Sequence, residues 1–369
     1  MRDPQTRLAL AGDVMLGRGI DQILPHPGDP ILRERYVTDA RRYVELAEQV
    51  NGPLPRPVEP AWPWGDSLVA LEQADPDVRI LNLETSITRS DRFAAGKAVH
   101  YRMNPANLAC LTAARPDACT LANNHVLDLG PEGLEETLDV LSAAGLTVTG
   151  AGRDLEEAWR PAVVDLAAAG RVLVFSMGAR SSGIPPSWGA ADARPGVAAL
   201  DEPLTSQAPM VVDRMQGWRR EGDRVVASVH WGSNWGYEID DDQVGFAHAL
   251  IDGGVDVVHG HSSHHPRPIE IYRERPILYG CGDLINDYEG IAGHEAYRSD
   301  LRLLYLVDLD RHTGAMTALR MLPMQSHRLR LRRASAGDAE WLASVLERHS
   351  RTPGQRIDLE PDGYLTLRR

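Results

Sequence analysis

The stretch 255–272, VDVVHGHSSHHPRPIEIY, confines the fold more than any other part of the chain. A mostly apolar run of strand length leads into His259, Gly260, His261, Ser262, Ser263, His264 and His265. Pro266 and Pro268 then stop any regular element from continuing. Imidazoles gathered at a strand end have an evident chemical use. Neutral histidine is the commonest side-chain ligand for borderline metals, and a strand terminus is a rigid place from which to hold ligands at fixed distances. The stretch lies mid-chain between two strand-like runs, so it is not a terminal tag.

The same pattern recurs along the sequence. The apolar run 8–11 ends in Gly12-Asp13, the run 78–83 in Glu84, the run 117–121 in Asn123, Asn124 and His125, and the run 224–229 in His230-Trp231-Gly232. Helical patterns separate these runs at 66–74, 105–114, 131–145, 210–220 and 240–252. Strands that alternate with helices and repeatedly leave polar residues at their ends predict an open α/β sheet with its site along one edge. Collected, those residues are Asp13, Glu84, Asn124, His125, His230, His261 and His264. Carboxylate, amide and imidazole donors together suit a divalent ion such as Mn, Zn, Mg or Ca, with no organic cofactor required.

Outside this series, the irregular segment 19–64 is too long for a spacer and is expected to be a lid facing the substrate. After Gly282-Asp283 comes a polar loop, 286–299, containing His294. The runs 301–308, 316–321 and 327–332 read as antiparallel strands, 338–349 as an amphipathic helix, and 356–369 as a final strand pair. No linker divides two cores. The expectation is a single domain over 1–369, with the lid insertion at 19–64 and a C-terminal antiparallel strand and helix extension at 301–369.

Composition excludes some functions. A chain of 369 residues with 43% hydrophobic content can fill a real core, and its formal charge of −13 argues against a nucleic-acid partner, whose phosphates need a basic face. No run approaches the roughly 20 apolar residues of a membrane span, so the expected setting is cytoplasmic with no membrane partner. Cys110, Cys119 and Cys281 are odd in number and lack CxxC spacing, which leaves them as small buried hydrophobes.

In order, GDVMLGR, LNLE, ANNHVLDLG, VHWG, GHSSHHPRPIE and GDLINDYEG resemble the CapA or poly-gamma-glutamate synthesis branch of the calcineurin-like metallophosphoesterases, over residues 8–308. The resemblance implies a βαββα sandwich, two packed mixed sheets flanked by helices, with metal at the strand ends. Carried over by position, it implies that Glu84, Asn124, His230 and His261 hold one ion, with His264 beside them. Where the parent family has Asp-x-His, this chain has Asp13-Val14-Met15, and methionine is a poor ligand for a hard cation, so one ion rather than two is expected. Soluble members of the branch include an enzyme, similar in its motifs, that inverts the C-terminal tryptophan of a lasso-peptide precursor. That likeness implies a metal-dependent peptide epimerase acting by two-base proton transfer, with Asp13, His294, His125 and His265 as acid and base groups. Arg18, Trp231 and Asn234 are then the expected substrate contacts, and the partners a peptide and a leader-binding protein. The alternative implied by the same family is a metal-dependent phosphomonoesterase or phosphodiesterase, or an accessory of poly-gamma-glutamate synthesis.

Overall fold

The computed structural model of the chain describes residues 5–167 and 170–368. Seven strands carry the site: β1 (Gln5–Val14), β2 (Val78–Leu83), β3 (Ala118–Thr120), β4 (Arg171–Ala179), β5 (Arg224–His230), β6 (Val257–His261) and β7 (Asp283–Ile285). Two more, β8 (Leu301–Asp310) and β9 (Met316–Ser326), extend the sheet that contains β1. In that first sheet β1, β2 and β3 run parallel, while β8 and β9 continue it antiparallel on the other side of β1. The second sheet is built on β4, β5 and β6, all parallel, and ends in the hairpin Ile269–Tyr272 and Arg275–Leu278. These are the two mixed sheets flanked by helices that the family resemblance implied, where the strand pattern alone predicted one open sheet.

Side-chain alternation explains why the sheets stack. On β1, Leu8 and Leu10 point to one face and Ala9 and Ala11 to the other; on β4, Val172 and Val174 oppose Leu173, Phe175 and Met177. Leu8, Leu10, Val172, Val174, Val226 and Val257 share one buried cluster, the layer between the sheets. The outer face of the second sheet packs under the helices Ala208–Gln216 and Asp241–Asp252. Because the central strands are parallel, their C-terminal ends lie along one edge of the sandwich.

Three elements differ from the sequence pattern for local reasons. His259, Gly260 and His261 lie inside β6 rather than beyond it, since the ladder with β5 runs on to His230 and His261. The run 105–114 is not one helix but a 3-10 turn, Pro105–Asn107, and a single helical turn, Ala109–Thr112. In 327–332 only Leu331 and Arg332 belong to a strand, because Arg328 (φ 59) and Leu329 (φ 50) are left-handed and turn the chain. Within 19–64 lie the helices Gly19–Ile23 and Arg41–Asn51, and Trp64 is wholly buried with its indole N–H on the Cys110 carbonyl. No helix among the described residues is long and apolar enough to cross a membrane.

Candidate metal centre

Asp13 sits where β1 breaks register with β2, between Ala11 and Asp13. The break is possible because residue 12 is glycine: a Cβ there would lie 1.8 Å from the Gly282 carbonyl oxygen. The Asp13 amide instead donates to that carbonyl at 3.0 Å, which brings β7 alongside and sets Asp13 opposite Asp283. Asn82 donates to one Asp13 oxygen (2.7 Å) and the Ser262 amide to the other (3.1 Å). Ser262 reaches it from a strained, positive φ of 102.

From the second sheet, His230 and His261 come together as direct neighbours in the β5 and β6 ladder. Their Nδ1 atoms are 2.7 Å apart, and each lies near Asp13 Oδ1, at 3.9 Å for His230 and 3.7 Å for His261. Ligand atoms of Asp13, His230 and His261 all fall within 4.8 Å of one another. Glu84 Oε1 is 3.7 Å from His230 Nε2 and 3.7 Å from His125 Nε2, and the Asn124 amide oxygen is 3.2 Å from His230 Nε2. Asp13, Glu84, Asn124, His125, His230 and His261 therefore share one buried site.

Its electrostatics are those of a place built for a cation. Burial, then Asp283, pushes the Asp13 carboxyl up to about 7; burial, then Asp13 and Asp283, holds Glu84 well above the carboxylate range. Burial keeps His230 and His261 well below the usual imidazole value, in the neutral form that ligates. Glu84 Oε2 is buried and has no hydrogen-bond partner among the described residues. A divalent ion fits this donor set: it would give the orphaned oxygen a partner and offset the gathered carboxylates.

His125 stands on the opposite flank. Its Nδ1 is 2.6 Å from Asp128 Oδ2, and Lys97 Nζ lies 2.9 Å from Asp128 Oδ1 and 3.3 Å from His125 Nδ1. Burial brings His125 down to about 4 although Asp128 pulls the other way, with Lys97 adding to the depression. With Nδ1–H on Asp128, the Nε2 lone pair is the atom facing Glu84.

The remaining expected site residues have other partners, with His264 at the edge of the cluster. His264 bonds Asp283 through Nδ1 (3.1 Å) and Asn234 through Nε2 (3.0 Å); burial opposes its charge, but Asp283 and Asp13 together raise it above the usual value. His265 is buried, accepts from the Gly236 amide and is brought down to about 4 by burial. His294 stacks flat on Trp235, centroids 3.8 Å apart, and Trp235 in turn meets His264 edge-on at 5.3 Å. Expected against substrate, Trp231 is instead fully buried between Tyr279 and Phe246, because β5 feeds it straight into the core under the helices. Arg18 commits its guanidinium to Asp287, Glu34 and the Tyr43 hydroxyl. Asp128, Asp283, Asn82 and Lys97 were not singled out from the sequence. Lys97 carried a usable signal, being the only lysine among 39 basic residues.

Comparison with known proteins settles the kinship. The family model described as bacterial capsule synthesis protein PGA_cap matches residues 7–288. The chain belongs to the PGA_cap family. A protein named a probable polyglutamine synthesis accessory protein in Mycobacterium tuberculosis is 54% identical over 359 residues, covering 97% of this chain and 94% of the relative. The PGA biosynthesis protein CapA of Bacillus subtilis is 27% identical, covering 70% of this chain and 64% of its own. A solved phosphatase from Mycoplasma pneumoniae superposes with a TM-score of 0.47 at 11% identity, covering 87% of this chain and 94% of that one. The names carried by these PGA_cap relatives point to polymer synthesis rather than to peptide epimerisation.

Proposed function

We propose that the protein is a metal-dependent hydrolase of the phosphoester class, acting as an accessory in polyglutamate synthesis. The observation that carries this is the pairing of the Asp13, Glu84, His230 and His261 cluster with a second imidazole, His125, held across from it by Asp128. Glu84, His230, His261, Asp13 and Asn124 would hold the ion, which when bound supplies a Lewis acid for the substrate oxygen and lowers the pKa of water. His125 presents Nε2 toward the same space, and Asp128 fixes its tautomer, so it can carry a proton between water and a leaving oxygen. An anionic ester beside it favours the protonated ring, offsetting the depression due to burial and Lys97.

The relatives' names support the polymer-synthesis setting. An epimerase working with Asp13 and His294 on opposite faces of one carbon gains no support from the stacking of His294 on Trp235. The test is release of p-nitrophenolate from mono- and diesters by the purified chain with and without Mn²⁺, run beside α-deuterium incorporation into a C-terminal tryptophan peptide. Metal-dependent ester cleavage that His125→Asn removes is the expected result. Deuterium uptake without ester cleavage would overturn it.

A further inference from the structure

Two tyrosines run along one side of the metal centre, and their hydroxyl protons are used differently. Tyr101 meets the His125 ring edge-on at 4.5 Å, and Tyr288 meets the His264 ring edge-on at 5.1 Å. His125 adjoins Glu84, and His264 bonds Asp283, the β7 neighbour of Asp13, so the pair spans the Asp13 and Glu84 cluster from flank to flank. Where the two side chains meet, the Tyr101 hydroxyl donates to the Tyr288 hydroxyl at 2.7 Å.

Tyr101 is fully engaged. It is wholly buried, its amide donates at 2.7 Å to the Asp128 oxygen that orients His125, and its hydroxyl proton goes to Tyr288. The Arg18 guanidinium lies 4.3 Å from its ring centroid and 5.8 Å from that of Tyr288, holding both rings by cation–π attraction. Tyr288 is half-buried, and its hydroxyl accepts from Tyr101 while no acceptor among the described residues takes its own proton. Burial, then Asp283, holds that phenol well above its ordinary value against the pull of Arg18, so it is a donor and not a base. Glu84, whose Oε2 has no partner among the described residues either, acts on it in the same direction as Asp283. An uncommitted O–H and an uncommitted carboxylate oxygen thus border one centre without bonding each other, which leaves the Tyr288 proton for a group brought from outside.

We infer that Tyr288 is a catalytic hydrogen-bond donor, its O–H meeting an anionic oxygen of the substrate at the metal centre, and that Tyr101 is the positioning residue that aims it. That this oxygen belongs to a phosphoester rests on the reading given under Proposed function; the donor itself does not. An O–H bonded to an anionic oxygen is a charge-assisted contact that strengthens as charge gathers there. A donor already oriented by Tyr101 needs no reorganisation to make it.

Orthovanadate, which expands its coordination to five as a phosphoryl group does in transfer, is titrated calorimetrically into the Mn²⁺-loaded full chain as wild type, Tyr288→Phe, Tyr101→Phe and the double variant. Tyr288→Phe deletes one oxygen and keeps the ring against His264, so the Mn²⁺-dependent rise in melting temperature should persist; its loss would make Tyr288 a structural residue and overturn the inference. Vanadate binding by Tyr288→Phe should weaken at least about tenfold, the scale of one charge-assisted contact. Its turnover of p-nitrophenyl phosphate should fall by about a hundredfold, the effect of removing one preorganised donor. Tyr101→Phe should weaken both by less, and the double variant should be no worse than Tyr288→Phe, because Tyr101 acts through the deleted hydroxyl. Additive losses would overturn the positioning role. No vanadate binding by wild type, or equal binding by Tyr288→Phe, would overturn the donor. Wild type that binds vanadate through Tyr288 yet cleaves no ester would overturn the hydrolase reading and uphold the donor.

Discussion

Two buried clusters of charge lie close together in this protein, and they are compensated in opposite ways. Around Arg18, itself 3% exposed, Asp287 and Glu34 accept from the guanidinium, and Tyr43 and Tyr101 cover its faces at 3.8 Å and 4.3 Å. Tyr43 donates onward to Glu34, and the Gly19 amide to Asp287. That cluster is closed by its own residues and ties the segment containing Glu34 and Tyr43 to the loop after β7. Around Asp13 the chain gathers Asp283 and Glu84 with neutral histidines, and leaves Glu84 Oε2 unpartnered among the described residues. Equal burial thus produces a latch in one place and, in the other, a group of acids and neutral imidazoles whose donors could hold a cation. The difference is which partners the sequence supplies, not how deeply the groups lie.

The largest effect should come from removing a donor that an ion at the Asp13 cluster would need. His230→Ala and His261→Ala should each lower metal-dependent turnover by about a thousandfold or more, since a ligand is lost from a small set. The rise in melting temperature on adding Mn²⁺ should vanish with it, because ion binding stabilises the fold by mass action. Steady-state kinetics and thermal scans with and without EDTA check both. A variant that keeps the metal-dependent rise would show that His230 or His261 is not a ligand.

Breaking the finished cluster should do the reverse. Arg18→Met leaves two carboxylates buried without their cation, a change that costs about 3–5 kcal/mol, while the Mn²⁺-dependent rise remains. Urea unfolding measures the loss, and restoration by the triple change Arg18→Met, Glu34→Gln, Asp287→Asn would tie it to the stranded charges. Undiminished stability in Arg18→Met would make the latch a surface pair in effect.

Asp13→Asn separates the two clusters more finely. A carboxyl whose folded value is raised to about 7 holds its proton longer in the native chain than in the unfolded one. Its burial therefore costs stability progressively above the ordinary carboxylate range, most fully above pH 7. Metal-free Asp13→Asn should be more stable than wild type at pH 8, by roughly 1–3 kcal/mol, and equal to it near pH 3. With Mn²⁺ the order should invert. Calorimetry across that range decides; a variant less stable at pH 8 without metal would mean that the Asn82 and Ser262 bonds outweigh the repulsion.

The sequence pattern exposes one cluster and conceals the other for a physical reason. Parallel strands deliver their C-terminal residues to one edge, so Asp13, Glu84, Asn124, His125, His230 and His261 can be collected from strand ends alone. Asp283 is brought beside Asp13 by the irregular register that Gly12 permits, which no local periodicity encodes. The Arg18 latch joins residues 18, 34, 43 and 287, contacts fixed by tertiary packing of a segment with little regular structure. Trp231 illustrates the same limit: its position after a strand end suggests substrate, while the helices above the second sheet bury it completely.

Lys97 lies at the border of the Asp13 cluster and offers the smallest but most specific test. It pairs with Asp128, holds Asp128 below the usual carboxylate range together with His125, and helps depress His125 to about 4. A histidine whose folded value lies below its unfolded one leaves the native chain with fewer protons than the unfolded chain. That part of the stability is therefore present above about pH 6.5 and is lost as the pH falls toward 4. Lys97→Met removes one cause of the depression, so the loss between pH 6.5 and 4 should be shallower in the metal-free variant than in wild type. The alkaline limb of metal-dependent turnover should move to higher pH by less than about one unit, since His125 then keeps its proton to higher pH while Asp128 still orients it. A purely structural lysine would lower the melting temperature equally at every pH and leave the limb in place. Thermal scans from pH 4 to 8 and a pH profile of kcat/KM distinguish these outcomes, and Lys97→Arg, which keeps the charge against Asp128, should restore the wild-type limb.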